Sequence, residues 1–218
     1  MLEEHVLSEQ NPPPAPRMTL HWSPRSPFVR KVMVTAHELG LADSIETVRT
    51  VAAMLNPPRA LLPDNPLGKI PTLVLQDGTV LYDSQVICEY LDSLAGGRLI
   101  PSAGPARWQE LRRHALANGF LDLLVLWRGE REKPQPLPAL LDAFALKTDA
   151  VLPALEAEIG EIAEGPPGLA QITLAIAGAY LDFRFPDLGW RMRCPQFSAW
   201  QQRFGERPSM RATGIVDA

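Results

Sequence analysis

The most constraining feature of this chain is a proline at the entrance of an apolar run, in residues 65–75 (NPLGKIPTLVL). Pro71 precedes four residues of strand character. Proline has no N–H to donate to the hydrogen bonds between strands, so the start of a strand is one of the few sheet positions where it fits. A tight turn leads to a second short strand, which stops at Asp83 and Ser84, two residues that favour a helix N-terminus. Free backbone groups beside Pro71 and an anion-binding helix end together predict a site for a small acidic, peptide-like ligand.

Strand and helix signals alternate through the first part of the chain. Pro27 stands at the start and Gly40 at the end of a helical pattern, as the usual asymmetry of helix ends requires. Residues 56–62 are expected to be irregular or a short helix, which gives the order β-α-β-α-β-β-α. The predicted strands are 19–22, 44–51, 72–75 and a short run before residue 83, and the two clear helices are 27–39 and 84–95.

Beyond a Gly- and Pro-rich linker at 96–106, strand signals stop. The predicted helices are 107–131, 137–162 with Pro153 inside it, the strongly apolar 173–185, and 195–204, and residues from 207 onward are expected to be tail. The fold class predicted from pattern alone is a small α/β domain followed by an all-α helical domain.

The predicted division of the chain has three parts. Residues 1–17 contain the run NPPPAP and lack apolar periodicity, so they predict a flexible, Pro-rich arm. The α/β domain is expected at 18–97 and the all-helical domain at 98–218.

Composition excludes several classes of function. The net charge is −4 without a basic stripe, which argues against nucleic acid as the main partner. Cys88 and Cys194 lie far apart with no metal-ligand spacing, so we expect reduced thiols in a cytoplasmic protein and no metal site. Neither a signal peptide nor an apolar run of membrane-spanning length is evident.

Four segments in a fixed order resemble the cytosolic glutathione S-transferases, in particular bacterial serine-type members. They are SPFVRKV at 26–32, NPLGKIPTLV at 65–74, YDSQVICEYLD at 82–92 and ITLAIAGAYLDFR at 172–184. This resemblance implies a thioredoxin-like N-terminal domain that binds glutathione as co-substrate, a helical C-terminal domain, a homodimer and a cis proline at Pro71. It also implies a detoxification enzyme, which activates the glutathione thiol for attack on a small hydrophobic electrophile.

Ser26 and Ser23 are the candidates for contact with the glutathione sulfur. A free thiol has a pKa of about 8.5, and a hydroxyl donor at a helix N-terminus favours the thiolate. The resemblance implies that the active residue is Ser26, with Ser23 as the alternative, because one class uses the serine three residues earlier. Ser26 also suits plain N-capping. The loop contains no cysteine, which disfavours thiol–disulfide exchange.

The resemblance implies how the rest of glutathione is held. The backbone of Ile70, beside Pro71, would pair with the cysteinyl backbone as an added strand. Lys69 could reach the glycyl carboxylate, Ser84 and the first helical N–H groups would hold the γ-glutamyl carboxylate, and Asp83 would help to place the ammonium group. The alternatives are an edge proline without a ligand, a solvated lysine and a simple helix cap.

The second substrate is expected between the Ser26 loop and the first long helix of the helical domain. Candidate lining residues are Phe120, Leu124 and Trp127, with Arg128 at the rim, and the alternative for them is ordinary interhelical packing. The identity of this substrate is not encoded in any recognisable motif.

The buried helix at 173–185 departs from the family pattern. Thr173 is present, but Ile176 stands where the acid of a capping box belongs, so we expect a half-made box that costs about 1 kcal/mol or less.

A function of another class remains open. A non-catalytic relative of this fold could act as a ligand carrier or as a stress protein that binds RNA polymerase. Retention of Ser26, Pro71, Asp83 and Ser84 favours the enzyme, because a binding module does not need all four.

Overall fold

The computed structural model describes residues 17–53 and 56–217. Its sheet has the order β2-β1-β3-β4, with β1 and β2 parallel and the other neighbours antiparallel. Leu20 at the centre of β1 lies opposite Leu73 of β3 and is fully buried. The strands are β1 (Met18–Trp22), β2 (Ile45–Arg49), β3 (Thr72–Val74) and β4 (Val80–Leu81).

Helices α1 (Pro27–Leu39) and α2 (Ser84–Leu94) belong to the sheet region. Helix α1 has the predicted bounds because its ends are encoded locally. Ser26 is its N-cap, and Gly40 ends it in the left-handed conformation, with φ of 72°. The sheet and these two helices form the predicted small α/β region.

The remainder of the described chain is helical. Its helices are α3 (Gly104–Arg131), α4 (Pro138–Ile162), α5 (Leu169–Arg184), α6 (Trp190–Arg193), α7 (Pro195–Gly205) and α8 (Pro208–Ala212). Pro153 lies inside α4 without ending it. Helix α5 is buried on nearly every side, as its apolar composition predicts. The fold is therefore a thioredoxin-like mixed sheet region followed by a helical region.

Asp92, in the last turns of α2, holds the connection between the two regions. One carboxylate oxygen accepts from the backbone N–H groups of Arg98 and Leu99 at 2.7 and 2.8 Å, and the other accepts from Ile100 at 3.1 Å. Asp92 is 4% exposed. A buried carboxylate thus sets the path of the chain into the helical region.

The predicted start of α5 and the predicted half-made capping box at that start were both wrong. Helix α5 begins at Leu169 with Gly168 as N-cap, so Thr173 is not at its start and no half-made capping box exists there. The Thr173 hydroxyl instead donates to the carbonyl of Leu169 at 2.7 Å. The acid that this helix end requires comes from α3, where Glu110 accepts from the Ala170 N–H at 2.7 Å.

The region after residue 207 is not simply tail. Helix α8 forms there and is attached to α1 through Glu38, which accepts two hydrogen bonds from the Arg207 guanidinium at 2.8 and 2.7 Å and one from the Ser209 hydroxyl at 2.5 Å. Residues 56–62 contain turns and no helix. The predicted arm lies outside the described residues except for Arg17, and the proposed domain limits stay predictions.

Candidate active site

The loop between β1 and α1 contains both serine candidates. The Ser26 hydroxyl accepts from the Val29 N–H at 3.2 Å, as an N-cap does. This contact uses an oxygen lone pair and leaves the hydroxyl proton for another acceptor. The Ser23 hydroxyl accepts from the Arg25 N–H at 3.4 Å, and the Ser23 carbonyl accepts from the Ser26 N–H at 3.3 Å. Both side chains are half-buried in one loop.

Asn65 shapes the loop that leads to Pro71. Its buried amide donates to the Lys69 carbonyl and to the Thr72 hydroxyl, each at 3.0 Å. The Ile70–Pro71 peptide is cis, as the resemblance implies. None of the described residues forms a backbone hydrogen bond with Ile70. The loop is therefore held from inside while the Ile70 backbone remains available to an extended ligand.

Asp83 is the N-cap of α2 and accepts from the Gln85 N–H at 2.8 Å. The Ser84 hydroxyl donates to the same Asp83 oxygen at 3.1 Å. Ser84 is 1% exposed, whereas Asp83 is exposed. The start of α2 thus contains Asp83 and Ser84, and the loop before β3 contains the exposed Lys69, as the sequence predicts for these positions.

A buried lysine that sequence reasoning missed joins α1 to α3. The Lys31 side chain is fully buried, and its ammonium group lies 2.7 Å from Asn118 Oδ1 and 3.5 Å from His114 Nε2. Burial lowers the pKa of the Lys31 ammonium, and neighbouring acidic groups partly oppose this shift. Burial, followed by the Lys31 charge, lowers the pKa of His114 to about 4. The available signal was the position of Lys31 next to Val32 and between Val29 and Val34, within a helix whose buried residues are mostly apolar.

The predicted second-substrate residues belong mostly to the core. Phe120 and Leu124 are buried, and the ring of Trp127 packs against Phe185 with centroids 5.0 Å apart. Ordinary interhelical packing, the alternative stated above, thus describes these three residues. Arg128 is different, because 34% of its side chain is exposed.

Both cysteines are free and buried, as predicted for packed thiols. The Cys88 thiol lies 3.4 Å from the Thr35 hydroxyl, and burial raises its pKa. Across residues 17–53 and 56–217, we find no group of three side chains suited to a metal ion. The helices of this same part are too short or too polar to cross a membrane.

The chain is similar to known glutathione transferases in sequence and in structure. The family model for the glutathione S-transferase N-terminal domain matches residues 25–94. A glutathione transferase family member from Pseudomonas fluorescens Pf-5, crystallised with bound glutathione, is 45% identical with a TM-score of 0.88; the alignment covers 91% of this chain and 99% of that one. A second structure from that organism holds S-(propanoic acid)-glutathione and is 44% identical with a TM-score of 0.83, at the same coverage.

The chain also resembles a curated protein of unassigned activity. The uncharacterized GST-like protein YibF of Escherichia coli strain K12 is 27% identical over 202 residues, which is 90% of this chain and 98% of that protein.

Proposed function

Because the chain belongs to the glutathione transferase family, we propose that it is a glutathione transferase that activates the glutathione thiol for attack on a small, mostly apolar electrophile. The observation that carries this proposal is the unpaired Ile70 backbone beside Pro71, close along the chain to the capped start of α2. A peptide can add to the first as a strand, and a carboxylate can bind at the second. The glutathione and glutathione conjugate bound by the Pseudomonas relatives have both chemical features.

In the proposed binding mode, Ile70 pairs with the cysteinyl backbone of glutathione. Lys69 is exposed and can reach the glycyl carboxylate. The N-terminal N–H groups of α2 and Ser84 hold the γ-glutamyl carboxylate, and the exposed Asp83 carboxylate faces the ammonium group. Pro71 supports this arrangement by ending the loop at the mouth of β3.

Ser26 is the proposed donor to the glutathione sulfur. Its hydroxyl oxygen already accepts from Val29, so the proton is directed to an external acceptor. The positive end of α1 then adds to the stabilisation of a thiolate at this position. Ser23, in the same loop, is the competing donor.

The experiment compares Ser26→Ala with Ser23→Ala. Loss of a hydrogen bond to a charged group costs about 1.5–3 kcal/mol, so Ser26→Ala should lower turnover at neutral pH by about ten- to a hundredfold. The defect should shrink at high pH, where the thiolate forms unaided, and glutathione affinity should change less. The measurement is the thiolate absorbance of the complex against pH. A titration that Ser23→Ala shifts and Ser26→Ala does not would identify Ser23 as the donor.

Glutathione binding itself separates the enzyme from the alternative function. Titration calorimetry should detect binding of reduced glutathione to the folded protein. Absence of binding at millimolar concentration would leave the non-catalytic readings, a ligand carrier or a stress protein associated with RNA polymerase.

We further propose a cytoplasmic homodimer with a role in detoxification. The β3–β4 hairpin and α2 are expected to pack against the long helices of a second subunit. Several large apolar side chains are exposed in the loop before β3, on α2 and on α3, and burial in a two-fold contact would remove them from water. They are Leu67, Val86, Leu94 and Trp108. Light scattering that gives a monomer at micromolar concentration would contradict the dimer.

A further inference from the structure

Two arginines from distant parts of the chain converge on one carboxylate oxygen. Arg25 lies in the loop beside Ser26, and Arg184 is the last residue of α5. Arg25 Nε is 3.1 Å and Arg184 Nη2 is 3.5 Å from the same atom, Oδ1 of Asp217. The position of this oxygen is therefore favourable for a negative charge, and Arg25 is adjacent in the chain to the proposed sulfur donor Ser26.

The Arg184 guanidinium is held in place and still has unused donor capacity. Its side chain is 16% exposed, and its Cζ lies 3.8 Å from the centre of the Phe183 ring, a stacking contact that fixes its orientation. Its Nε is buried and has no hydrogen-bond partner among the described residues, and the same holds for Arg128 Nε. Such orphaned buried donors are uncommon in folded proteins.

The described residues place more positive than negative charge here. Burial raises the pKa of the Tyr180 hydroxyl, and the positive charges of Arg128 and Arg184 oppose this shift. Arg128 has Glu132 as an ion-pair partner at 3.7 Å. Within residues 17–53 and 56–217, Arg25 and Arg184 have the carboxylate of Asp217 as their common ion-pair partner. Among these described groups, a ligand carboxylate would therefore meet two arginines and one carboxylate.

The contact with Asp217 is of a kind that a ligand can replace. The Asp217 side chain is 57% exposed and the Arg25 side chain 50% exposed. Ion pairs exposed to this degree contribute little to stability. Asp217 also stands in the final stretch after α8, so its displacement disrupts no helix.

We propose that Arg25 and Arg184 form a subsite for a carboxylate of the second substrate, and that Asp217 occupies this position as an internal substitute when substrate is absent. The inference rests on the proposed function, because a substituent on a glutathione sulfur beside Ser26 would extend toward the neighbouring Arg25. The second substrate would then be an electrophile with an apolar body and one carboxylate.

Titration calorimetry on the full chain tests this subsite with three ligands: glutathione, S-propylglutathione and S-(2-carboxyethyl)glutathione. The last two differ in one group, a methyl against a carboxylate. The wild-type protein should bind the carboxyethyl compound more tightly than the propyl compound. Arg184→Gln should lower the affinity for the carboxyethyl compound by about tenfold, because one charge-assisted contact is lost. The affinities for the other two ligands should change by less than about twofold.

Two further variants sharpen the test. Asp217→Asn removes the competing carboxylate and should strengthen binding of the carboxyethyl compound by about two- to fivefold. Arg25→Gln, in an exposed loop, should repeat the effect of Arg184→Gln without a risk to the end of α5. Arg112→Gln, which removes an arginine that pairs with Glu158 between α3 and α4, is the control and should leave all three affinities unchanged.

The outcomes separate the two proposals. Glutathione binding without a preference for the carboxyethyl compound overturns the subsite alone. Equal weakening of all three ligands in Arg184→Gln also overturns it, because the arginine would then serve glutathione itself. An unchanged affinity in Asp217→Asn overturns the role of Asp217 as a substitute. Failure of every ligand to bind the folded wild-type protein overturns the proposed function and the subsite with it.

Discussion

Replacement of Asp92 by asparagine should destabilise the protein strongly although the side chain keeps its shape. The carboxylate accepts from three consecutive N–H groups, those of Arg98, Leu99 and Ile100. Asparagine has one carbonyl oxygen, so its amide nitrogen would face an N–H donor at the position now taken by the second oxygen. The chain entering the helical region would lose its anchor.

The size of the effect follows from these contacts. A hydrogen bond to a charged group contributes about 1.5–3 kcal/mol and a neutral one about 1 kcal/mol. One charged contact is lost and two become neutral, so we expect the free energy of unfolding to fall by about 3 kcal/mol. For a chain of this length each kcal/mol shifts the melting temperature by about 2–4 °C, which predicts a decrease of about 6–12 °C.

Thermal melting followed by circular dichroism measures this change. The matched control is Asp142→Asn, the same substitution at an exposed position of α4, which should shift the midpoint by less than about 2 °C because surface changes are mostly within 0.5 kcal/mol. If both variants had the melting temperature of the wild-type protein, the three backbone contacts would not stabilise the connection and the reasoning would fail.

Two other changes test the helical region. Gly178→Ala should lower the free energy of unfolding by about 1–3 kcal/mol, because the new Cβ would meet Gln201 Cγ at 2.7 Å. Gly119→Ala, whose Cβ would have nothing within 4 Å, should raise the free energy of unfolding by about 0.5–1 kcal/mol. Equal denaturation midpoints for the two variants would contradict the packing argument. His114 has its pKa lowered in the folded state, so the stability it contributes is present above about pH 6.5 and is lost as the pH falls toward 4. His114→Gln should flatten the decline of melting temperature between pH 7 and 4.5, whereas the exposed His37→Gln should follow the wild-type curve.

The parts of the fold that were predictable are those whose determinants are local. Helix α1 has the predicted bounds because Ser26, Pro27 and Gly40 encode its ends within the segment itself. Pro71 likewise identified the start of β3, and the structure adds the cis peptide that the resemblance implies.

The missed features depend on contacts between distant residues. The start of α5 could not be read from its own sequence, because its acidic cap, Glu110, is provided by α3. Helix α8 was missed because its anchor, Glu38, lies in α1. Trp127 was a candidate for the second-substrate pocket because an apolar stripe predicts a core and a pocket equally well.

In the candidate site, too, locally encoded features were predictable and long-range contacts were not. The capping positions of Ser26 and Asp83 follow from residue type and spacing. The convergence of Arg25 and Arg184 on Asp217 could not be predicted, because three segments with no sequence signal for proximity meet there.

Lys31 gives the protein a second kind of positive charge, with a different response to ionic strength. Its ammonium group is inside the protein, against an amide and an imidazole, while Arg25 is half exposed. At 0.1 M salt, interactions between exposed charges decay over a screening length of about 10 Å, whereas interactions of buried charges are screened much less. Added salt should therefore weaken the attraction of an anion to Arg25 and leave the field of Lys31 nearly intact.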